Sequence, residues 1–260
     1  MTKIIKSNIS LDEPLEKREL EKAISEKEEK LNALIDEIEQ LRIDLTVVKQ
    51  EYDVKVGRLY LKLDEVNLEI LKFKKIEDLI SKGFSFKEAQ KVVEETLEKR
   101  REQIKEEYKK LDEEEKDIES RKSISEEEKE ELKKIWHKLA HKYHPDKTNG
   151  NEEMMKKINK AYVEGDLETL HAIDQNEIGI DIGAKTIEAL KSKLAGLKKS
   201  INKISQEFKQ LKCSEWYILK ENIEKAKKQK RDILSELSDK ILADVAKKEN
   251  QLGELKKKYG

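Results

Sequence analysis

The chain has 260 residues and a formal net charge of -1, with 36% hydrophobic and 43% charged residues. The hydrophobic share is low and the charged share is high, which excludes one large round core and favours long helices with narrow apolar seams. Lysine and glutamate alternate along most of the chain, so the charge balance gives no reason to expect a polyanion partner. The single cysteine, Cys213, excludes an internal disulfide and a cysteine-rich zinc centre.

We expect an all-α fold, because the chain contains only two prolines and nine glycines to interrupt its helices. The sequence shows no signal peptide and no apolar run of membrane-spanning length, so we expect a cytoplasmic location and no membrane partner. It also shows no glycine-rich phosphate loop, nucleophile elbow or paired carboxylates. We therefore expect no catalytic residues and no cofactor.

The first arm begins after a predicted flexible N-terminus, residues 1–13, and covers residues 14–121. From Leu31 to Tyr52 apolar residues alternate by three and four positions, which is a heptad seam. Beyond Tyr52 the apolar stripe widens, and a wider stripe favours packing against more than one partner helix. We interpret this arm as a coiled-coil helical hairpin.

The turn of that hairpin is predicted at Gly83, because glycine commonly follows the last residue of a helix. Ser85 and Glu88 have capping-box spacing, which predicts the start of the second helix. Two helices joined by so short a turn usually fold back on each other.

A small helical module is predicted at residues 122–175. Ser125 starts a helix with a second capping box, and that helix ends at a loop, residues 144–150. Another helix is predicted at residues 151–163, and Gly165 ends it ahead of a short last helix.

A hinge is predicted at residues 176–184, followed by a second arm at residues 185–260. Three-four spacing is regular from Ile187 to Leu211 and is disturbed near Cys213. This pattern leaves two alternatives, a coiled coil formed by one long helix with a phase change or a second helical hairpin. We favour the hairpin because Ser214 can cap a new helix. Such seams can pair within one chain or between two, so a homodimer stays open.

The tripeptide His144-Pro145-Asp146 carries the clearest chemistry in the chain. Proline disfavours helix at the preceding residue, so His144 should mark a forced helix end. We expect a stiff, solvent-facing tip that offers an imidazole ring and a carboxylate. The helix before it carries several lysines and histidines away from its apolar face.

The sequence Lys-Tyr-His-Pro-Asp-Lys at residues 142–147, followed by Ile-Asn-Lys-Ala-Tyr at residues 158–162, resembles the J-domain of DnaJ-like co-chaperones. This resemblance implies a protein that docks on a DnaK-type ATPase chaperone and stimulates its ATP hydrolysis. It also implies that the basic second helix docks on an acidic surface of that chaperone. The chaperone-docking residues implied by position are His144, Pro145, Asp146, Lys133, His137, Lys138 and Lys147.

The chain departs from the family at both ends of this motif. The usual first helix is not recognisable, since Tyr108 and Leu111 lie too far upstream, and the end of the first coiled coil is a candidate to take its place. The chain has no Gly/Phe-rich linker and no paired-cysteine zinc domain, so the unknown client is left to the arms. The predicted J-domain core comprises Leu132, Ile135, Leu139, Ala140, Tyr143, Ile158, Ala161 and Tyr162.

Three other interpretations were weighed. A structural coiled-coil scaffold with a degenerate J-like docking module is the alternative function. A metal site at His137, His141 and His144 is not expected, because Lys138 stands where a zincin has glutamate and only Asp146 could add a carboxylate. Nucleic-acid binding is not expected either. Its only candidate cluster is Lys220, Lys225, Lys227, Lys228, Lys230 and Arg231.

Overall fold

The computed structural model describes residues 13–147, 150–175 and 186–259. These residues form helices joined by short turns, which confirms the all-α prediction. Among them, no helix combines the length and the apolar character needed to cross a membrane. The predicted flexible N-terminus up to residue 12 and the predicted hinge at 176–184 lie outside the described residues.

The helices follow one another along the chain as α1 (Glu13–Tyr52), a π-helical turn (Asp53–Gly57), α2 (Arg58–Ser81), α3 (Phe86–Ser123), α4 (Glu126–Tyr143), α5 (Glu152–Glu164), α6 (Leu167–Gln175), α7 (Ile187–Lys212), α8 (Glu215–Lys228) and α9 (Ile233–Tyr259).

The chain forms two compact units, and neither is continuous in sequence. The first comprises Met1–Asp44 and Ile124–Ser214, and the second comprises Leu45–Ser123 and Glu215–Gly260. These two units differ from the division that we predicted in chain order, which has boundaries after residues 121, 175 and 184. The chain-order division stays a prediction.

The second unit is organised around α2, which packs against both α3 and α9. The widened stripe beyond Tyr52 predicted such a helix with two partners. The turn before α3 contains Gly83 with φ 94°, a conformation that favours glycine. The predicted capping box is present, with the Glu88 carboxylate accepting from the Ser85 backbone N–H at 3.0 Å.

A π-helical turn separates α1 from α2. An inserted residue in a helix shifts the phase of its apolar face, so the residues after the turn face other partners than those before it. Val56, in the turn, is buried in a cluster with Ile223 and Leu234. Trp216 packs edge-on against Tyr52, with ring centroids 5.6 Å apart.

The first unit contains α4, α5 and α6 together with the first part of α1 and with α7. α4 packs against α5 and α6, and α5 packs against α6. The buried apolar residues of the unit come from all five helices, and the largest fully buried side chains are Ile35, Ile38, Trp136, Leu139, Ile158, Leu170 and Ile204.

The predicted second arm is not one helix. α7 ends at Lys212, α8 begins after Ser214, and α9 begins after a turn in which Lys230 has φ 58°. Asp232 starts α9 by accepting from the backbone N–H of Leu234 at 3.0 Å.

Candidate functional site

Helix α4 starts and ends where the sequence predicted. The Ser125 side chain accepts from the Glu128 backbone N–H, and the Glu128 carboxylate accepts from the Ser125 backbone N–H, which completes the capping box. At the other end His144 leaves the helix with φ -56° and ψ 130°. This extended backbone is the one that a following proline imposes.

The loop after α4 is closed by backbone hydrogen bonds. Asn151 N–H donates to the Tyr143 carbonyl at 2.9 Å, and Lys147 N–H donates to the His144 carbonyl at 2.9 Å. Gly150 passes so close to the loop that a Cβ there would lie 2.1 Å from the His144 carbonyl oxygen. The loop therefore holds the tripeptide in one backbone conformation, and it requires glycine at position 150.

The imidazole of His144 is buried, with 1% of its surface exposed. Its Nδ1 accepts a hydrogen bond from the Asp146 backbone N–H at 3.2 Å. A nitrogen that accepts carries no proton, so the proton of the neutral ring is on Nε2. That atom lies 3.4 Å from Oε1 of Glu39 in α1, a long contact that pairs the two side chains loosely.

Glu39 is fully buried and connects α1 to the α4–α5 pair. Its Oε2 accepts from Asn159 Nδ2 at 2.6 Å, and Asn159 Oδ1 accepts from Trp136 Nε1 at 2.9 Å. Burial by itself raises the pKa of the Glu39 carboxyl, but the contact with His144, the charge of Arg42 and the hydrogen bond from Asn159 together lower that pKa below its ordinary value. We infer a charged carboxylate at neutral pH.

The Asp146 side chain is held by α7. Its Oδ1 pairs with Lys203 Nζ, and its backbone carbonyl accepts from Ser200 Oγ at 2.8 Å. The hydrogen bond to Asp146 raises the pKa of Lys203, which keeps the ammonium charged. Only 7% of the Asp146 side chain is exposed.

Most of the other predicted docking residues are also paired within the unit. Nδ1 of His137 and Nε2 of His141 each lie 2.8 Å from Asp36 Oδ1. Lys138 pairs at 2.8 Å with Asp174 of α6.

The remaining three predicted docking residues differ in exposure. Lys147 Nζ donates to Asn32 Oδ1 at 2.7 Å, and burial lowers the pKa of this lysine. Lys133 and Pro145 are exposed.

The expectation of a solvent-facing tripeptide is therefore wrong for His144 and Asp146, and it holds for Pro145. The physical reason is that α1 presents carboxylates to the basic helix and α7 presents a lysine to Asp146. Opposite charges meet at close distance, and burial strengthens the pairing.

Sequence patterns alone did not identify Asp36, Glu39 or Lys203 as residues of the site. A signal for Glu39 exists, because it lies four positions after Ile35 and four before Ile43, so it must share the buried face of α1. Asp36 and Lys203 have no such signal, since they lie in segments rich in alternating charge.

The predicted core of the module is largely present. Leu132, Leu139, Ala140, Ile158 and Ala161 are buried. Ile135, Tyr143 and Tyr162 are half-buried.

Trp136, which was not in the predicted core, is also fully buried. Tyr108 and Leu111 belong to the second unit, where Tyr108 contacts Glu65 at 3.3 Å. They are not part of the helical module, and α1 is the upstream helix whose side chains contact α4 and α5.

The second arm contains the single cysteine and the candidate basic cluster. Cys213 is an exposed free thiol. In the candidate basic cluster, Lys220, Lys225 and Arg231 each pair with a glutamate of the same segment. Such pairs are typical of a solvated helix face.

Comparison with known proteins agrees with the geometry of α4 and α5. The family model described as DnaJ domain matches residues 123–164. No curated protein and no solved structure is significantly similar to the chain. The matched residues contain the capped basic helix, the His-Pro-Asp loop and the helix that packs back on it. Residues 123–164 thus form a DnaJ domain, as the resemblance at the His-Pro-Asp motif predicted.

Proposed function

We propose that this protein is a co-chaperone that docks on a DnaK-type chaperone through α4 and the His144-Pro145-Asp146 loop and stimulates its ATP hydrolysis. The DnaJ domain itself carries the proposal, because it combines the tripeptide, its closed loop and the basic helix. The docking residues are those implied by the resemblance: His144, Pro145, Asp146, Lys133, His137, Lys138 and Lys147.

The charge pattern of α4 supports this role. Lysines and histidines on a short helix provide weak, salt-sensitive attraction for an acidic surface. Within the protein, α1 and α6 already offer such an acidic surface through Asp36, Glu39 and Asp174. The chain's own carboxylates thus occupy the positions that we assign to the partner chaperone.

Docking therefore requires α1 and α7 to move away from the loop. A partner that binds only the open arrangement shifts the equilibrium toward it by its differential affinity. The apparent affinity for the chaperone is then reduced by the fraction of molecules that are open. We infer that the isolated protein stimulates ATP hydrolysis by the chaperone only weakly. Removal of the contacts that cover the loop should increase this stimulation.

The long helices outside the DnaJ domain are the candidates for binding a client or a second copy of the chain. We propose that they bind a specific client or a second copy of the chain as coiled-coil arms, and that the protein works in the cytoplasm. No bond chemistry by this chain is needed, since the ATP is hydrolysed by the partner.

The test is steady-state ATP turnover of a DnaK-type chaperone with and without this protein. Wild type should raise turnover, and His144→Gln should not. Because His144 is buried, each variant is first checked for wild-type helicity by circular dichroism. A folded wild-type protein that leaves turnover unchanged, or equal stimulation by His144→Gln, contradicts the proposal.

One observation favours a second candidate, a coiled-coil scaffold whose DnaJ domain is only a packing module. His144 and Asp146 are engaged inside the unit, as they would be in a domain that had lost its partner. The two candidates differ in the variants that uncover the loop. A scaffold stays inactive in the ATPase assay when the loop is uncovered, whereas a covered co-chaperone becomes more active.

A further inference from the structure

Asp36, His137 and His141 bring three ligand atoms together on the surface of the first unit. The two histidines are one helical turn apart on α4, and Asp36 reaches them from α1. Nδ1 of His137, Nε2 of His141 and Oδ1 of Asp36 all lie within 4.8 Å of one another. A metal site was not expected from the sequence, because Lys138 stands where a zincin has glutamate and only Asp146 could add a carboxylate. Asp36 supplies another carboxylate from α1.

The distances are close to those of a metal centre. A tetrahedral Zn²⁺ about 2.1 Å from each ligand holds its ligand atoms about 3.4 Å apart. Both nitrogen–oxygen distances are 2.8 Å, so the carboxylate oxygen must retreat by roughly 0.6 Å. The two ring nitrogens lie within 4.8 Å of each other and must approach to about 3.4 Å. The side chains of the three residues are 31–32% exposed, so an ion can enter from solvent and a water can fill a fourth position.

The chemistry of the donor set selects the kind of ion. Two imidazoles and one carboxylate suit a borderline divalent transition metal such as Zn²⁺, whereas Mg²⁺ and Ca²⁺ prefer oxygen ligands. Each ring must take the tautomer that leaves the nitrogen facing the ion unprotonated, because that nitrogen offers its N–H to Asp36 when no ion is bound. Binding thus exchanges two hydrogen bonds for three metal–ligand bonds.

One neighbouring group opposes an added cation. Lys147 carries its ammonium near Asp36, where it donates to Asn32. Burial lowers the pKa of this lysine, while Glu28 and Asp36 act in the other direction. Since Glu28 adds a second negative charge beside the lysine, the surroundings of Asp36 are not uniformly positive.

We propose that Asp36, His137 and His141 form a binding site for one divalent transition-metal ion of the Zn²⁺ type. The site would fasten α1 to α4, the helix whose basic face we assign to chaperone docking. The proposal stands apart from the proposed function, since metal binding is measured without a chaperone.

The experiment titrates the metal-free full chain with Zn²⁺ by calorimetry and with Co²⁺ by visible absorption. We expect one ion per chain and a Co²⁺ absorption spectrum typical of a tetrahedral site. His137→Gln, His141→Gln and Asp36→Asn should each weaken binding by at least the roughly tenfold that loss of an outer-shell partner costs. Asp36→Asn keeps an oxygen that accepts from both rings, so it preserves the fold while removing the charged ligand.

The control is His171→Gln. His171 is a half-exposed histidine of the same unit that contacts Glu131 at 3.1 Å and is not part of the cluster. Zn²⁺ should bind this variant as it binds wild type and should raise the unfolding temperature of both, since an ion that binds only the folded state stabilises it. Failure of wild type to bind, or undiminished binding by the three cluster variants, overturns the proposal.

Discussion

Glu39 Oε1 lies 3.4 Å from His144 Nε2, and both side chains are buried. The histidine of the His-Pro-Asp motif therefore faces the protein's own first helix. Asp146 is engaged in the same way by Lys203 of α7. The motif is held in a defined conformation by the contacts that cover it, and this relationship supplies the following predictions.

Lys203→Glu should uncover Asp146 and increase stimulation of the chaperone ATPase. The change replaces an attractive contact with a repulsive one, so the closed arrangement loses free energy relative to the open one. Lys203 is 58% exposed but Asp146 is only 7% exposed, so water screens the pair only in part, and the charge reversal should lower folding stability by about 1–3 kcal/mol. Turnover at limiting co-chaperone concentration is the measurement.

Lys199→Glu is the matched control for that change, because Lys199 is exposed on the same helix. It alters the net charge equally and should leave turnover at the wild-type level. If Lys203→Glu and Lys199→Glu behave alike, the contact with Asp146 does not restrain docking.

Glu39→Ala should destabilise the first unit by about 3 kcal/mol, because it leaves the buried partners of the carboxylate unpaired. Glu39→Gln keeps oxygen acceptors and should cost less, about 1–2 kcal/mol. Urea unfolding followed by circular dichroism gives both values. Glu37→Ala, an exposed position on the same helix, should remain within about 0.5 kcal/mol of wild type.

The contribution of Glu39 to the free energy of unfolding should depend on pH. Its pKa in the folded protein lies below the ordinary value of 4.5, so the charged form is favoured by folding. This stability is fully present above the unfolded pKa and is lost as pH falls through the lower folded pKa. The difference in unfolding free energy between wild type and Glu39→Gln should therefore shrink between about pH 6 and about pH 3. A difference that grows on acidification would show that the carboxylate is not stabilised by folding.

Gly150→Ala should distort the His-Pro-Asp loop, since the added Cβ would meet the backbone of His144 and Pro145. We expect a loss of about 2 kcal/mol or more of stability and weaker chaperone stimulation. Gly196→Ala provides the comparison, because Gly196 is inside α7 and a Cβ there has no neighbour within 4 Å. That change should stabilise the protein by about 0.5–1 kcal/mol. Equal unfolding midpoints for the two variants would contradict the steric argument.

Local chemistry in the sequence predicted where the helices of the DnaJ domain begin and end. Ser125 and Glu128 form a capping box with each other, Pro145 ends α4, and Gly165 ends α5 with φ 75°. Each of these signals acts over a few residues, so no tertiary contact is needed to interpret it. The same holds for the turn at Gly83.

The partners of the site residues were decided by the tertiary structure. Asp36 is 101 positions from His137, and Asp146 is 57 positions from Lys203. With lysines and glutamates on nearly every helix face, the sequence offers many equivalent charge pairs and does not distinguish among them. Sequence alone determined that this protein carries a His-Pro-Asp loop on a basic helix. Only the packing of α1 and α7 decided that the loop is covered, because burial and long-range charge pairing depend on which helix faces meet.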